Sequence, residues 1–214
     1  MKFLIVFINV LFLSLVASSQ LKYNVFAGPQ ATTAKYTINS AKQKTDMKIG
    51  FQAGVGMKVP FENKLYFSPS AFYSMKGYKV TYSSFNDFPN FDAKDNNTTF
   101  HTFELAALLQ YDFNTSPNHF FIKAGPSLDF QLFGHEKINL KSGSVIDRKI
   151  KFSYGDYGRY SGNLLAHAGY EMSNGFIIFA HYTHGLASIC NFDNGPIIKH
   201  RAYGITIGKY LNCK

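Results

Sequence analysis

Apolar and polar residues alternate with a period of two along most of the chain. Between Met47 and Val59 every odd position is apolar, and every even position is polar or glycine. Because successive side chains of a β-strand point to opposite faces, this pattern predicts a strand with one apolar and one polar face. The alternation predicts eight strands. They cover 46–59, 102–113 and 120–132 and, more weakly, 21–31, 64–79, 159–172, 175–187 and 199–211.

The predicted strands and their connections have the proportions of a membrane barrel. Strands of soluble proteins have about 5–6 residues, whereas a strand that crosses a bilayer at a tilt needs about 9–11. Long and short connections alternate along the chain, as do the external loops and periplasmic turns of outer-membrane barrels. The long ones are 32–45, 80–100, 134–158 and the intermediate 188–198; the short ones are 60–63, 114–118 and 173–174.

The composition of the polar face indicates which side of the barrel faces lipid. Glycine, serine, asparagine and glutamine dominate this face, whereas a water-exposed surface would carry many more lysines and glutamates. Small polar residues fit the narrow interior of an eight-stranded barrel. We therefore expect Phe51, Leu105 and Ile122 to point outward. A secreted lipocalin-like barrel, with its apolar face inside, is the alternative.

These patterns predict an all-β fold, namely an eight-stranded antiparallel up-and-down transmembrane β-barrel. Backbone groups find no hydrogen-bond partner in hydrocarbon, so the sheet is expected to close and leave no free edge. Aromatic residues near the short turns and near the long loops fit two interfacial belts. The expected location is the bacterial outer membrane.

The first residues read as a signal peptide over 1–19. Lys2 precedes the apolar run from Phe3 to Val16, and small residues at Ala17 and Ser19 favour cleavage before Gln20. The run is short for a retained membrane anchor. The outer-membrane barrel domain is then 20–214. Cys190 falls in an external loop and Cys213 at the periplasmic end, too far apart for a disulfide.

Composition narrows the class of protein and its partners. Aromatic residues make up 17% of the chain and charged residues 16%, which argues against disorder. The net charge of +9 falls to about +8 when Lys2 is removed, and in an exported protein it favours anionic lipid or lipopolysaccharide over nucleic acid. The loop 134–158 offers candidate contacts to lipopolysaccharide phosphates, although it also reads as an ordinary solvated loop. The basic residues are Lys137, Lys141, Arg148, Lys149 and Lys151.

Charged residues of both signs fall on the inward face. Four lysines and four carboxylates allow an internal ion-pair network that fills the lumen, because buried charges need partners. They are Lys48, Lys58, Lys76, Lys123, Glu104, Asp112, Asp129 and Glu171. A gated narrow pore and a catalytic carboxylate pair are the alternatives. His167 and His181 face inward on neighbouring strands, but further metal ligands are not evident, so no metal or cofactor is expected.

The stretch from Gly50 to Tyr78 contains glycines, prolines and a YS-x-KG ending. In this pattern it resembles an outer-membrane barrel family called PorT-like, common in Bacteroidetes-type bacteria. Phe103 to Tyr111 is similar to its LEIPLLLKY segment, with Ala106 in place of proline and Gln110 in place of lysine. Lys123 to Pro126 resembles its AGP strand. The GYE at 169–171 and YTHGL at 182–186 resemble its GYE…YNYGL hairpin.

The resemblance implies an eight-stranded outer-membrane barrel, and the family name comes from a component of a protein secretion system. We expect a non-catalytic barrel with a structural or interaction role, through its extracellular loops or with envelope protein partners. A small porin-like channel is the first alternative. An outer-membrane enzyme is the second, although the sequence contains no G-x-S-x-G nucleophile motif.

Overall fold

A computed structural model of the chain describes residues 21–83 and 88–211. These residues form eleven strands. They are β1 (Lys22–Ile38), β2 (Ala41–Lys42), β3 (Lys44–Asp46), β4 (Lys48–Glu62), β5 (Leu65–Thr81), β6 (Ala93–Asp112), β7 (His119–Leu140), β8 (Val145–Lys149), β9 (Tyr160–Glu171), β10 (Phe176–Gly185) and β11 (Ile197–Tyr210). No helix in the same ranges is long and apolar enough to cross a membrane.

Eight long strands close into a single antiparallel barrel. Their order around the barrel follows the chain, β1-β4-β5-β6-β7-β9-β10-β11, and β11 pairs with β1 from Asn24–Tyr210 to Thr37–Ile197. The short strands extend the sheet beyond the barrel wall, where β2 pairs with β1, β3 with β5 and β8 with β7. The predicted eight-stranded up-and-down barrel is confirmed.

The apolar face of the barrel points outward, as predicted. Phe51, Leu105 and Ile122 are 45–47% exposed, whereas their neighbours Gln52, Glu104 and Lys123 are buried. Exposed aromatic residues near the short turns include Tyr111, Phe113, Phe120 and Phe176. Those toward the long loops include Phe103, Tyr160, Tyr182 and Tyr203. These two outer belts mark the interfaces of a membrane.

Glycines on the inner face leave room for large side chains across the wall. A Cβ placed on Gly54 would lie 2.2 Å from the Cβ of Phe72, which occupies the lumen beside it. The interior of an eight-stranded barrel is just wide enough for side chains to fill it. The glycine-rich polar face of β4 is therefore a packing requirement of the narrow barrel.

Three predicted external loops are partly strand. β1 continues to Ile38, β6 begins at Ala93 and β7 runs to Leu140, so the predicted loops 32–45, 80–100 and 134–158 are too long. Beyond the membrane the outward face of a strand can be polar while its inward face packs inside the barrel, so the apolar-out pattern ends. The backbone ladder does not depend on that pattern and continues for several residues.

A β-bulge also interrupts the pattern of β7. The register shifts opposite His101 and Thr102, which pair with Phe133 and Gln131 and leave Leu132 as the extra residue. Leu132 and Phe133 are consequently both exposed, at 49% and 58%. Because one inserted residue reverses the inside and outside positions, the alternation that predicts β7 stops there.

Two further predictions concern residues outside the described ranges. The predicted signal peptide, residues 1–19, lies there, and so does Cys213. Cleavage before Gln20 and the lack of a Cys190–Cys213 bridge therefore stay predictions.

The outward orientation of Leu105 predicts a large cost for a charge at this position. Leu105→Arg should lower the free energy of unfolding by about 2–4 kcal/mol, because its guanidinium would lie in hydrocarbon near the bilayer midplane. The measurement is urea unfolding of the refolded barrel in lipid vesicles. The matched control is Val145→Arg on β8, which is 51% exposed and lies beyond the membrane, and it should change stability little. Equal losses would contradict the assigned membrane face.

Candidate functional site

The lumen contains two separate charged clusters with an apolar layer between them. The lower cluster lies at the end of the short turns, where Lys58 Nζ is 2.6 Å from Asp112 Oδ2 and 2.7 Å from Glu171 Oε2. Lys22 Nζ lies 3.1 Å from the other oxygen, Glu171 Oε1. The two lysines come from β1 and β4, and the two carboxylates come from β6 and β9. The cluster therefore joins opposite walls of the barrel. Lys22 was not among the predicted lumen residues.

The middle cluster is completely buried. Lys76 Nζ lies 2.8 Å from Glu104 Oε2 and 2.9 Å from both oxygens of Asp129. Ser127 Oγ donates to Glu104 Oε1, and Asn163 Nδ2 donates to the same oxygen over 3.4 Å. An unpaired ion in such a place would be very costly, so one lysine between two carboxylates makes this cluster interdependent.

An apolar layer separates the two clusters. On β6, Ala106 and Leu108 lie between Glu104 above and Asp112 below, and both are buried. Phe26 and Phe72 meet edge to face with ring centroids 5.8 Å apart. The other members of the layer include Leu165, Phe121, Ile177 and Phe179. Aromatic and aliphatic side chains therefore fill this level of the lumen.

Two of the eight predicted lumen residues stand apart from both clusters. Among the described residues, no carboxylate lies within ion-pair distance of Lys48 or Lys123. Lys123 Nζ donates to Ser68 Oγ over 3.2 Å and lies 5.1 Å from the ring centroid of Phe121. Lys48 Nζ donates to Asn97 Oδ1 over 2.6 Å and to the carbonyl of Thr98 over 3.2 Å. The expected single network of four lysines and four carboxylates is wrong for these two residues.

The predicted histidine neighbours do lie side by side. His167 and His181 pair in register on β9 and β10, and their ring centroids are 6.2 Å apart. His167 stacks on Phe179 at 4.9 Å, and His181 Nδ1 lies 3.3 Å from Gln52 Nε2. Both rings therefore have packing or hydrogen-bonding partners in the lumen.

A second core fills the barrel above the outer aromatic belt. Its buried members include Tyr36, Ile38, Tyr78, Val80, Phe88, Phe100, Ile150, Tyr157, Ile189 and Ile198. Phe100 and Tyr157 meet edge to face at 5.2 Å. The phenol of Tyr157 donates to Glu136 Oε2 over 2.9 Å, and burial raises its pKa well above the usual value, so it stays protonated. This core closes the lumen at its extracellular end.

The strand pattern did not indicate this upper core, although the signal is present. Tyr36 and Ile38, and likewise Tyr78 and Val80, keep the period of two beyond the membrane. There the apolar residues point inward instead of outward. A rule that assigns apolar residues to the lipid face cannot detect this inversion.

The five predicted lipopolysaccharide contacts are not equivalent. Arg148 points into the barrel wall, where its Nη1 and Nη2 donate to both oxygens of Asp156 over 2.9 and 2.8 Å and Nε donates to Glu136. Burial by itself would lower the pKa of Arg148, but these two carboxylates raise it. Arg148 is thus committed to internal ion pairs. The other four, Lys137, Lys141, Lys149 and Lys151, are exposed.

A further group of cations lies on the outer surface just above the aromatic belt. Lys35 on β1 pairs in register with Lys199 on β11, and Arg201 lies opposite Thr33 in the same ladder. Arg201 lies two residues before Tyr203 on β11, on the same outer face and nearer to the extracellular end. In the part of the chain that the structure describes, none of these three has a carboxylate within ion-pair distance. Lys199 and Arg201 are spaced i, i+2 and so share one face of the strand, which is a weak sequence signal for this group of cations.

Comparison with known proteins assigns the family. Residues 16–191 match the model of the family described as "Outer membrane protein beta-barrel domain", and the chain belongs to this family. Membership places the protein in the bacterial outer membrane, in agreement with the two aromatic belts. A search of curated proteins finds no match.

Solved outer-membrane barrels are similar over most of their length. The attachment invasion locus protein Ail of Yersinia pestis is 14% identical, with 88% of this chain and 97% of Ail covered and a TM-score of 0.46. Neisserial surface protein A is 16% identical over 87% of this chain and 94% of its own, with a TM-score of 0.40. The N-terminal β-barrel domain of Pseudomonas aeruginosa OprF is 12% identical over 89% and 99%, with a TM-score of 0.32.

The middle cluster predicts that the stability of the barrel depends strongly on Lys76 as long as its two carboxylate partners are present. Lys76→Met should lower the free energy of unfolding by about 3–5 kcal/mol, because Glu104 and Asp129 lose their buried counter-ion. Adding Glu104→Gln and Asp129→Asn to that variant should restore much of the loss. Urea unfolding of the refolded barrel measures both effects.

Lys123→Met serves as the matched control, since Lys123 is buried in the same lumen with a hydroxyl as its partner. Its cost should be about 1 kcal/mol or less. If Lys123→Met is as damaging as Lys76→Met, the ion pairs are not the reason for the loss.

Proposed function

We propose that this protein is a non-catalytic outer-membrane barrel with a structural or interaction role, which it performs through its extracellular part. The observation that carries the proposal is the filling of the lumen at successive levels. The fully buried middle cluster around Lys76 closes one level, and the aromatic core around Tyr157 closes the extracellular end. The middle carboxylates bind a lysine inside this filled space, so they are poor candidates for acid–base catalysis on a substrate.

The finer family resemblance supports a role in an envelope assembly. The PorT-like segments named above lie on β4 to β7 and on the β9–β10 hairpin, which are parts of the wall. We therefore place any partner of a secretion-related assembly outside the barrel wall, at the paired strands β7 and β8 beyond the membrane and at the extracellular connections.

We also propose that lipopolysaccharide is a partner of the outer surface. Lys35 and Lys199 face each other on neighbouring strands, and like charges in this arrangement repel. A phosphate bound between them would relieve that repulsion with charge-assisted hydrogen bonds. The position just above the belt residue Tyr203 is the level of the outer-leaflet headgroups. The exposed residues Lys137, Lys141, Lys149 and Lys151 lie on or near β7 and β8, across the barrel from β1, and form a separate basic surface.

A filled lumen predicts no steady ion current. Purified barrel inserted in planar bilayers should show no stable single-channel conductance over a range of voltages in concentrated potassium chloride. Correct insertion is checked in parallel by the heat-dependent mobility of the barrel in a denaturing gel. Reproducible unitary currents from folded protein would contradict the proposal and favour the porin-like channel.

The outer cation group predicts a charge-specific loss of lipopolysaccharide binding. Lys35→Gln combined with Lys199→Gln should weaken binding to lipopolysaccharide-containing vesicles about thirtyfold, since each of the two cations near an anionic surface contributes about 1 kcal/mol. The matched control is Lys64→Gln with Lys209→Gln, which removes the same charge at the opposite end of the barrel. Equal weakening by both pairs of substitutions would contradict the proposed phosphate contact. Undiminished binding to dephosphorylated lipid A would also contradict it.

A further inference from the structure

Three potential metal ligands converge in the lower cluster. Asp112 ends β6, His119 begins β7 and Glu171 ends β9, three strands that are neighbours in the sheet. His119 pairs in register with Glu171. One ligating atom from each residue lies within 4.8 Å of the others, and all three side chains are buried. His119 was not among the predicted site residues, because it follows a short turn outside the alternating pattern.

The second polar atom of each ligand is already held by a neighbour. Gln110 Nε2 donates to Asp112 Oδ1 over 2.7 Å, and Lys22 Nζ donates to Glu171 Oε1 over 3.1 Å. His119 Nδ1 lies 2.8 Å from the carbonyl oxygen of Ser116. Outer partners of this kind orient the ligands of metal sites, and a histidine ligand usually donates its other N–H to a carbonyl or carboxylate.

His119 Nε2 is the atom that requires an explanation. The carbonyl of Ser116 places the proton of a neutral ring on Nδ1, so Nε2 presents a lone pair. It lies 3.0 Å from Asp112 Oδ2 and 3.4 Å from Glu171 Oε2, yet neither contact has the geometry of a hydrogen bond. Three electron-pair donors thus face one another, an arrangement that a cation between them would stabilise.

Two of the three donor–donor distances fit a tetrahedral ion. Ligands about 2.0–2.1 Å from Zn²⁺ at tetrahedral angles are about 3.3–3.4 Å apart. The two distances from His119 Nε2, 3.0 and 3.4 Å, bracket that edge closely. The ammonium of Lys58 already bridges the same two oxygens, at 2.6 and 2.7 Å. The position between the carboxylates is therefore one that a cation occupies.

We propose that Asp112, His119 and Glu171 form a divalent transition-metal site, with Lys58 as the cation that holds the two carboxylates in the metal-free protein. One imidazole with two carboxylates suits Zn²⁺ or Mn²⁺ better than Mg²⁺ or Ca²⁺, which prefer oxygen ligands alone. Lys58 Nζ also lies 4.4 Å from the ring centroid of Tyr66. The ammonium thus has an aromatic partner that it keeps when a metal takes the oxygens.

The site has an entry path and room for a water ligand. A cavity of about 1000 Å³ opens at the short-turn end of the barrel, and Lys58, Asp112, His119 and Glu171 all line it. Its rim includes the turn residues Asn114 to Pro117, which position the carbonyl of Ser116. A metal would reach the ligands from the periplasmic side without passing the apolar layer.

Zn²⁺ binding to the full chain without a histidine tag tests the proposal. The barrel is refolded in detergent, treated with a chelator and titrated with Zn²⁺ by calorimetry, and with Co²⁺ by visible absorption. We expect one ion per chain and the absorption bands of a low-coordinate Co²⁺ site. His119→Ala should weaken binding at least about tenfold. Lys58→Met should strengthen it, because the competing ammonium is gone.

The control variant is His135→Ala, which removes an exposed histidine that contacts Asp147 at the opposite end of the barrel. It should bind Zn²⁺ like the wild type. Heat-dependent gel mobility confirms that each variant is folded. Stoichiometric binding that His119→Ala leaves unchanged would overturn the proposal, as would equal affinity for Mg²⁺. Failure of wild type and of folded Lys58→Met to bind Zn²⁺ would also overturn it and leave a lysine–carboxylate cluster alone.

Discussion

The hydrogen bonds between β1 and β11 are the interaction on which the rest of the structure depends. Hydrocarbon offers no partner to a backbone N–H or carbonyl, so an open sheet edge in the membrane would leave a row of polar groups unpaired. Pairing the first long strand with the last removes both edges at once. Once the ring is closed, every side chain of the membrane-spanning part of a strand lies either in lipid or in the lumen, and the alternation of each strand decides which.

Closure of so few strands creates a second constraint, which is a narrow interior that side chains fill. Charged side chains there lose most of their hydration, and only close pairing offsets that loss. The lower and middle clusters satisfy this requirement with lysines from one wall and carboxylates from another. Phe72 and Leu108 keep the clusters apart, and Gly54 provides the space that Phe72 needs. Filling the lumen thus stabilises the barrel and obstructs it at the same time.

The two ends of the barrel differ in what they offer to other molecules. The extracellular end is closed by an aromatic core and carries cations on its outer surface, which is the surface where we propose a partner. The periplasmic end is an open cavity whose walls present His119 and two carboxylates. A protein with a filled middle can therefore have separate chemistry at its two mouths, and neither mouth needs transport through the lumen.

The sequence by itself determined the fold class, the strand number and the lipid-facing side, because period-two alternation is a local property that each strand carries independently. Phe51, Leu105 and Ile122 could be assigned to the outer face for that reason. The lengths of β6 and β7 could not be predicted, because above the membrane the apolar residues point inward and a bulge at Leu132 reverses the inside–outside alternation. Which lysine meets which carboxylate was decided by the tertiary structure alone. Strand register and barrel closure bring Lys76 between Glu104 and Asp129, leave Lys123 beside a serine, and place His119 at the start of β7 against Glu171 at the end of β9.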